Sequence, residues 1–146
     1  MPSFATMSTR RLLIFTAALA LCIGGFALLF PALLLEGKGV GTLDPAAVAM
    51  TRTVGVALLG VAGLNLALSG LPSSGILRRV LLANAAFQLA LLPLDPWACA
   101  TGAFEGLASF LPNSILHVVL ATLFLRAWRG TAADPCLGSP RAGVRP

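Results

Sequence analysis

The side chain with the most chemistry in this sequence is its one histidine, His117, set in a long apolar run. Imidazole titrates near neutral pH and binds protons, metals and ligands, so this residue is the first candidate for a functional group. It belongs to a series at four-residue steps: Glu105, Ser109, Asn113, His117 and Ala121. Residues so spaced lie along one slowly drifting ridge of a helix and can face a common interior. Asn84 and Gln88 share the same spacing on an earlier segment, and Asn65 sits on another. Depth counted from the helix centres puts His117, Asn84 and Gln88 near one level, with Asn65 about 10 Å from it at 1.5 Å per residue. We therefore expect His117, Asn113, Asn84, Gln88 and Asn65 to gather as a polar core. One chemistry for such a core is plain hydrogen bonding between helices, worth about 0.6 kcal/mol per contact in a membrane. The other is a proton or ligand site, because ionisable residues inside a membrane are functional candidates by default. A neutral imidazole has one donor and one acceptor, and an amide side chain satisfies both.

Arg52 and Glu105 fall at similar depth on different segments, so a salt bridge between them is expected; otherwise Arg52 reaches to the headgroups and Glu105 sits in water. One histidine supplies one axial haem ligand, and the sequence offers no second beside it. No cofactor is specified, and no metal site is expected. The three cysteines, Cys22, Cys99 and Cys136, lie at different depths without a C-x-x-C spacing. No Gly-rich phosphate loop, G-x-S-x-G, H-E-x-x-H or paired-carboxylate pattern occurs.

The segments that must position these residues are membrane spans. Of 146 residues, 58% are apolar and 10% charged, and the mean hydropathy is +0.92. A soluble domain carries about 25% charged residues, and no aqueous fold of this size hides so much apolar surface. Crossing a bilayer takes about 20 apolar residues. The expected spans are 12–35, 46–70, 75–94 and 103–128, with Asp44-Pro45 and Ser74 as helix-start signals. Pro31 should bend the last turns of the first span. Residues 96–106 are expected either to extend the fourth helix outward or to form an interfacial helix. Residues 1–11 and 129–146 flank the four-helix domain, the latter as a disordered tail. Arg10, Arg11, Arg78, Arg79, Arg126, Arg129, Arg141 and Arg145 all fall on one side, whereas Glu36, Lys38, Asp44 and Asp95 fall on the other. Positive residues stay in the cytoplasm, so both termini are expected there, and the fold class is an all-α, antiparallel bundle of four transmembrane helices. The net charge of +5 is this orientation signal and does not indicate a nucleic-acid partner. Thr9-Arg10-Arg11-Leu12-Leu13 and Leu19-Ala20-Leu21-Cys22 look like an export signal and a lipoprotein box. The apolar run is too long for the first, and Leu21 is too large for the second, so a retained anchor is expected.

Small residues recur where helices should touch: Thr16, Ala20 and Gly24 in the first span, Gly55, Ala62 and Ser69 in the second. The run Thr51-Arg52-Thr53-Val54-Gly55-Val56-Ala57-Leu58-Leu59-Gly60 resembles the R-x-x-G-x-x-x-L-G helix opening of small bacterial four-helix membrane proteins, the DoxX-like and DUF4345-like groups. Leu116-His117 in the last helix adds to the likeness. The resemblance implies a four-helix bundle in a bacterial inner membrane and brings no catalytic residues with it. Nine arginines to one lysine, with abundant alanine and leucine, fit a GC-rich genome. Three functions follow. The foremost is a non-catalytic structural or regulatory subunit of a membrane complex, partnered by lipid, by other membrane subunits or by copies of itself. The second is a small transporter or channel using the Glu105/Asn113/His117 ridge. The third is a lipid- or quinone-active enzyme with His117 as acid or base and Asn84, Gln88 and Asn113 orienting substrate.

Overall fold

A computed structural model describes residues 8–131. The expected tail beyond residue 131, with Cys136, Arg141 and Arg145, lies outside the described residues, as do residues 1–7. The described residues are all-α, with no strand among them: α1 (Thr9–Leu29), α2 (Pro31–Gly37), α3 (Pro45–Leu68), α4 (Gly75–Leu91), α5 (Leu94–Ala100), a 3-10 turn (Leu107–Ser109) and α6 (Leu111–Gly130). Four stretches are long and apolar enough to cross a membrane: Thr9–Leu29, Pro45–Leu68, Gly75–Ala100 and Leu111–Gly130. The chain is a multi-pass membrane protein. Within α3 only 11% of the apolar window is buried inside the molecule. Surface of that kind is stable against lipid and unstable against water.

Local chemistry sets the helix ends. The Ser8 hydroxyl accepts from Arg11 N at 3.4 Å, the Asp44 carboxylate from Ala46 N at 3.1 Å, and the Ser74 hydroxyl from Leu77 N at 3.2 Å. Each satisfies an amide that the first turn leaves without a carbonyl. Three boundaries differ from the sequence expectation, and proline accounts for each. The first span does not bend at Pro31 but stops: Phe30 leaves helical geometry (φ −129°, ψ 52°), and Pro31 opens the separate helix α2 at a position where no N–H is needed. Within the third stretch α4 ends at Leu91, and α5 begins just after Pro93. The last helix starts at Leu111, with Pro112 in its first turn, and not near residue 103. Between α5 and α6 the chain turns through Gly102 and Gly106, both with φ above +70°, so residues 96–106 do not extend the fourth helix.

Packing builds two pairs, α1 along α3 and α4 along α6. In the first pair the backbones meet at the small residues: a Cβ added to Gly55 would stand 2.7 Å from Gly24 O. The pairs are joined by a buried cluster in which Leu12 and Leu13 of α1 contact Leu77, Leu81 and Ala85 of α4 and Leu120 and Phe124 of α6, with Trp128 packed on its edge. The start of α1, the start of α4 and the end of α6 therefore share one end of the molecule. Lys38, Asp95 and Glu105 meet at the opposite end.

Candidate functional site

The polar side chains singled out in the sequence form three contacts rather than one cluster. In the first, donors run in one direction. Asn84 Nδ2 on α4 donates to Asn65 Oδ1 on α3 at 3.2 Å and to Val80 O at 3.1 Å. Asn65 Nδ2 donates to Thr16 Oγ1 on α1 at 3.5 Å, and that hydroxyl donates to Leu12 O and Leu13 O at 3.0 and 3.1 Å. Asn65 is 1% exposed. An amide so placed needs partners, and the relay supplies them across three helices.

The second contact joins His117 Nδ1 on α6 to Gln88 Oε1 on α4 at 2.6 Å. A carboxamide oxygen only accepts, so Nδ1 is the donor in this pair. The third contact lies at the acidic end. Asp95 Oδ2 on α5 accepts from Lys38 Nζ at 3.0 Å and from Asn113 Nδ2 on α6 at 2.7 Å. The Lys38 ammonium also stands 4.5 Å from the Phe104 ring centroid, a cation–π contact. Next to it, Gly39 has φ +78° and packs on Glu105, whose N donates to Lys38 O at 3.3 Å. Lys38 and Asp95 thus tie the segment after α2 to α5 and α6.

The split of the expected cluster has a geometric cause. Four residues turn a helix by about 400°, so each step drifts about 40° around the axis. Asn84 consequently meets α3 while Gln88, one turn on, meets α6. Asn113 turns to Asp95 and not to His117. The expected Arg52–Glu105 bridge does not form: both side chains are exposed, and the ion pair among the described residues is Lys38–Asp95. Glu105 leaves the ridge because it sits in the turn before α6, held to Lys38 and Gly39. Arg52 projects from the exposed side of α3, where its stem can lie in hydrocarbon and its head among headgroups.

Sequence reasoning missed three participants. Thr16 stood out as a small residue and serves as the acceptor that ends the Asn relay. Lys38 and Asp95 were placed together on one side of the membrane but not paired. The signal was available: a single lysine and a carboxylate in facing loops on one side. Among the described residues no three His, Cys, Asp or Glu side chains gather as a metal set, and Cys22 and Cys99 are free thiols. Between α3 and α4 a shallow groove of about 170 Å³ is lined by Val61, Leu64, Ala83, Asn84 and Phe87. Its walls are apolar apart from Asn84, whose donor is already engaged.

In comparisons with known proteins, the chain matches no family model, no curated protein and no solved structure.

Proposed function

We propose that this chain is an architectural membrane protein, a structural or regulatory subunit that holds a fixed helical surface against lipid and against other membrane subunits. One observation carries the reading: each polar side chain of the expected core is engaged with another helix. Thr16, Asn65 and Asn84 link α1, α3 and α4; Gln88 and His117 link α4 and α6; Asp95 links Lys38 with α6. Groups used in this way fix the positions of the helices they join. In this reading the spans form an antiparallel bundle, as the meeting of Thr16 with Asn65 and of Gly24 with Gly55 supports. Both termini lie in the cytoplasm, following the arginines, and the membrane is the bacterial inner membrane that the family likeness implies.

A second reading has one specific observation in its favour. With Nδ1 donating to Gln88, the neutral form of His117 would offer Nε2 as the proton acceptor that a small transporter or a lipid- or quinone-active enzyme requires. His117→Gln separates the readings in a strain lacking the native gene. An architectural protein bearing it assembles and complements; a proton site bearing it assembles without complementing.

A further inference from the structure

We propose that the arginine end of the bundle carries a binding site for the phosphate of an anionic phospholipid headgroup, centred on the Arg78 guanidinium seated on Trp128. The guanidinium carbon of Arg78 lies 4.9 Å from the Trp128 ring centroid, so a cation–π contact between the first turn of α4 and the last turn of α6 holds the group in place. Arg78 Nε is covered and has no acceptor among the described residues, so the edge of the guanidinium left for a phosphate is the Nη1/Nη2 pair. A buried N–H without an acceptor is costly, and the side chain is held there by the ring and not by a hydrogen bond.

No carboxylate of the described residues is available to it. Glu36, Asp44, Asp95 and Glu105 all belong to the opposite end of the helices, and the ion pair among these residues is Lys38–Asp95. Around Arg78 the same end collects Arg10, Arg11, Arg79, Arg126 and Arg129. The result is a guanidinium held against an indole ring inside a positive field. A guanidinium fork matches two phosphate oxygens, where an ammonium meets them only as a point charge. Indole rings settle at the level of the headgroups, so Trp128 places this fork where lipid phosphates lie. Lipid therefore supplies the anion. The remaining arginines add attraction to an anionic leaflet without geometry of their own.

Charge-conserving substitutions separate a built site from a diffuse field. Full-length protein in phosphatidylcholine nanodiscs is titrated with phosphatidylglycerol, and retained lipid is counted by native mass spectrometry. Arg78→Lys keeps the charge and loses the fork; it is expected to weaken phosphatidylglycerol retention roughly tenfold. Arg79→Lys is expected to leave it unchanged. Trp128→Phe, which keeps an aromatic ring with a weaker face, is expected to lower retention about threefold and serves if Arg78→Lys does not fold. Equal retention by Arg78→Lys, Arg79→Lys and the native chain would overturn the site in favour of a diffuse field. Displacement of the lipid by millimolar inorganic phosphate would overturn its assignment to a lipid.

Discussion

Gly55→Ala tests the packing of the first helix pair. A Cβ at this position would stand 2.7 Å from Gly24 O, 2.8 Å from Leu28 N and 3.2 Å from Leu28 Cα. These neighbours are backbone and cannot rotate away. Restoring a contact of 3.4 Å requires α1 and α3 to separate by about 0.7 Å at the crossing, the difference between 3.4 and 2.7 Å. A gap of that size forfeits a quarter to a half of each dispersion contact it opens. Overpacking of this kind costs about 1–3 kcal/mol. The Asn65–Thr16 bond joins the same two helices and is already 3.5 Å long, so separation removes it as well, adding about 0.6 kcal/mol. Gly63→Ala is the control: it lies on the same helix, and a Cβ there meets nothing within 4 Å. Its effect should be zero or slightly stabilising, since alanine is the better helix former. Reversible unfolding in mixed micelles, followed by tryptophan fluorescence, reads both variants. A loss of about 2–3 kcal/mol for Gly55→Ala beside no loss for Gly63→Ala is expected. Equal stability of the two would refute the close crossing.

Further expectations concern the acidic end and the topology. Asp95→Ala strands both Lys38 and Asn113, so in the same unfolding assay it should cost about 2–3 kcal/mol against about 1 for Lys38→Ala; equal losses would contradict the shared acceptor. Gly39→Ala meets both a positive φ and the Glu105 Cβ at 2.7 Å, whereas Gly102→Ala meets a positive φ alone, so the first should lower the melting temperature further. An impermeant thiol reagent applied to intact cells should label Cys99 and spare Cys136. The reverse pattern would invert the proposed orientation.

What the sequence made legible, and what it did not, divides along physical lines. The four apolar stretches were readable because hydrocarbon imposes length and composition on any helix that crosses it. Asp44-Pro45 and Ser74 marked helix starts correctly because capping depends on a few adjacent residues. Helix ends were harder. Pro31 was expected to bend a span, yet it divides one, a choice that depends on where the chain can next pack. The small-residue repeat pointed to close contact, and Gly24 meets Gly55, but nothing in the repeat names the partner. Among the polar residues, type and depth were legible while azimuth was not. A drift of about 40° per four residues sends Asn84 and Gln88 to different helices. Glu105 was read as part of a helical ridge because its spacing fits, but it lies in the turn that Gly102 and Gly106, both with positive φ, shape before α6 begins at Leu111.

The central claim is that His117 and Gln88 hold helices together and carry no reaction. Complementation by His117→Gln, measured beside the amount of folded protein in the membrane, tests it most directly. Glutamine offers a donor and an acceptor to Gln88 and does not titrate. The account predicts native protein levels, native assembly and full rescue of the deletion phenotype. A variant present at native levels and assembled, yet unable to rescue, would show that the imidazole does chemistry and would contradict the account.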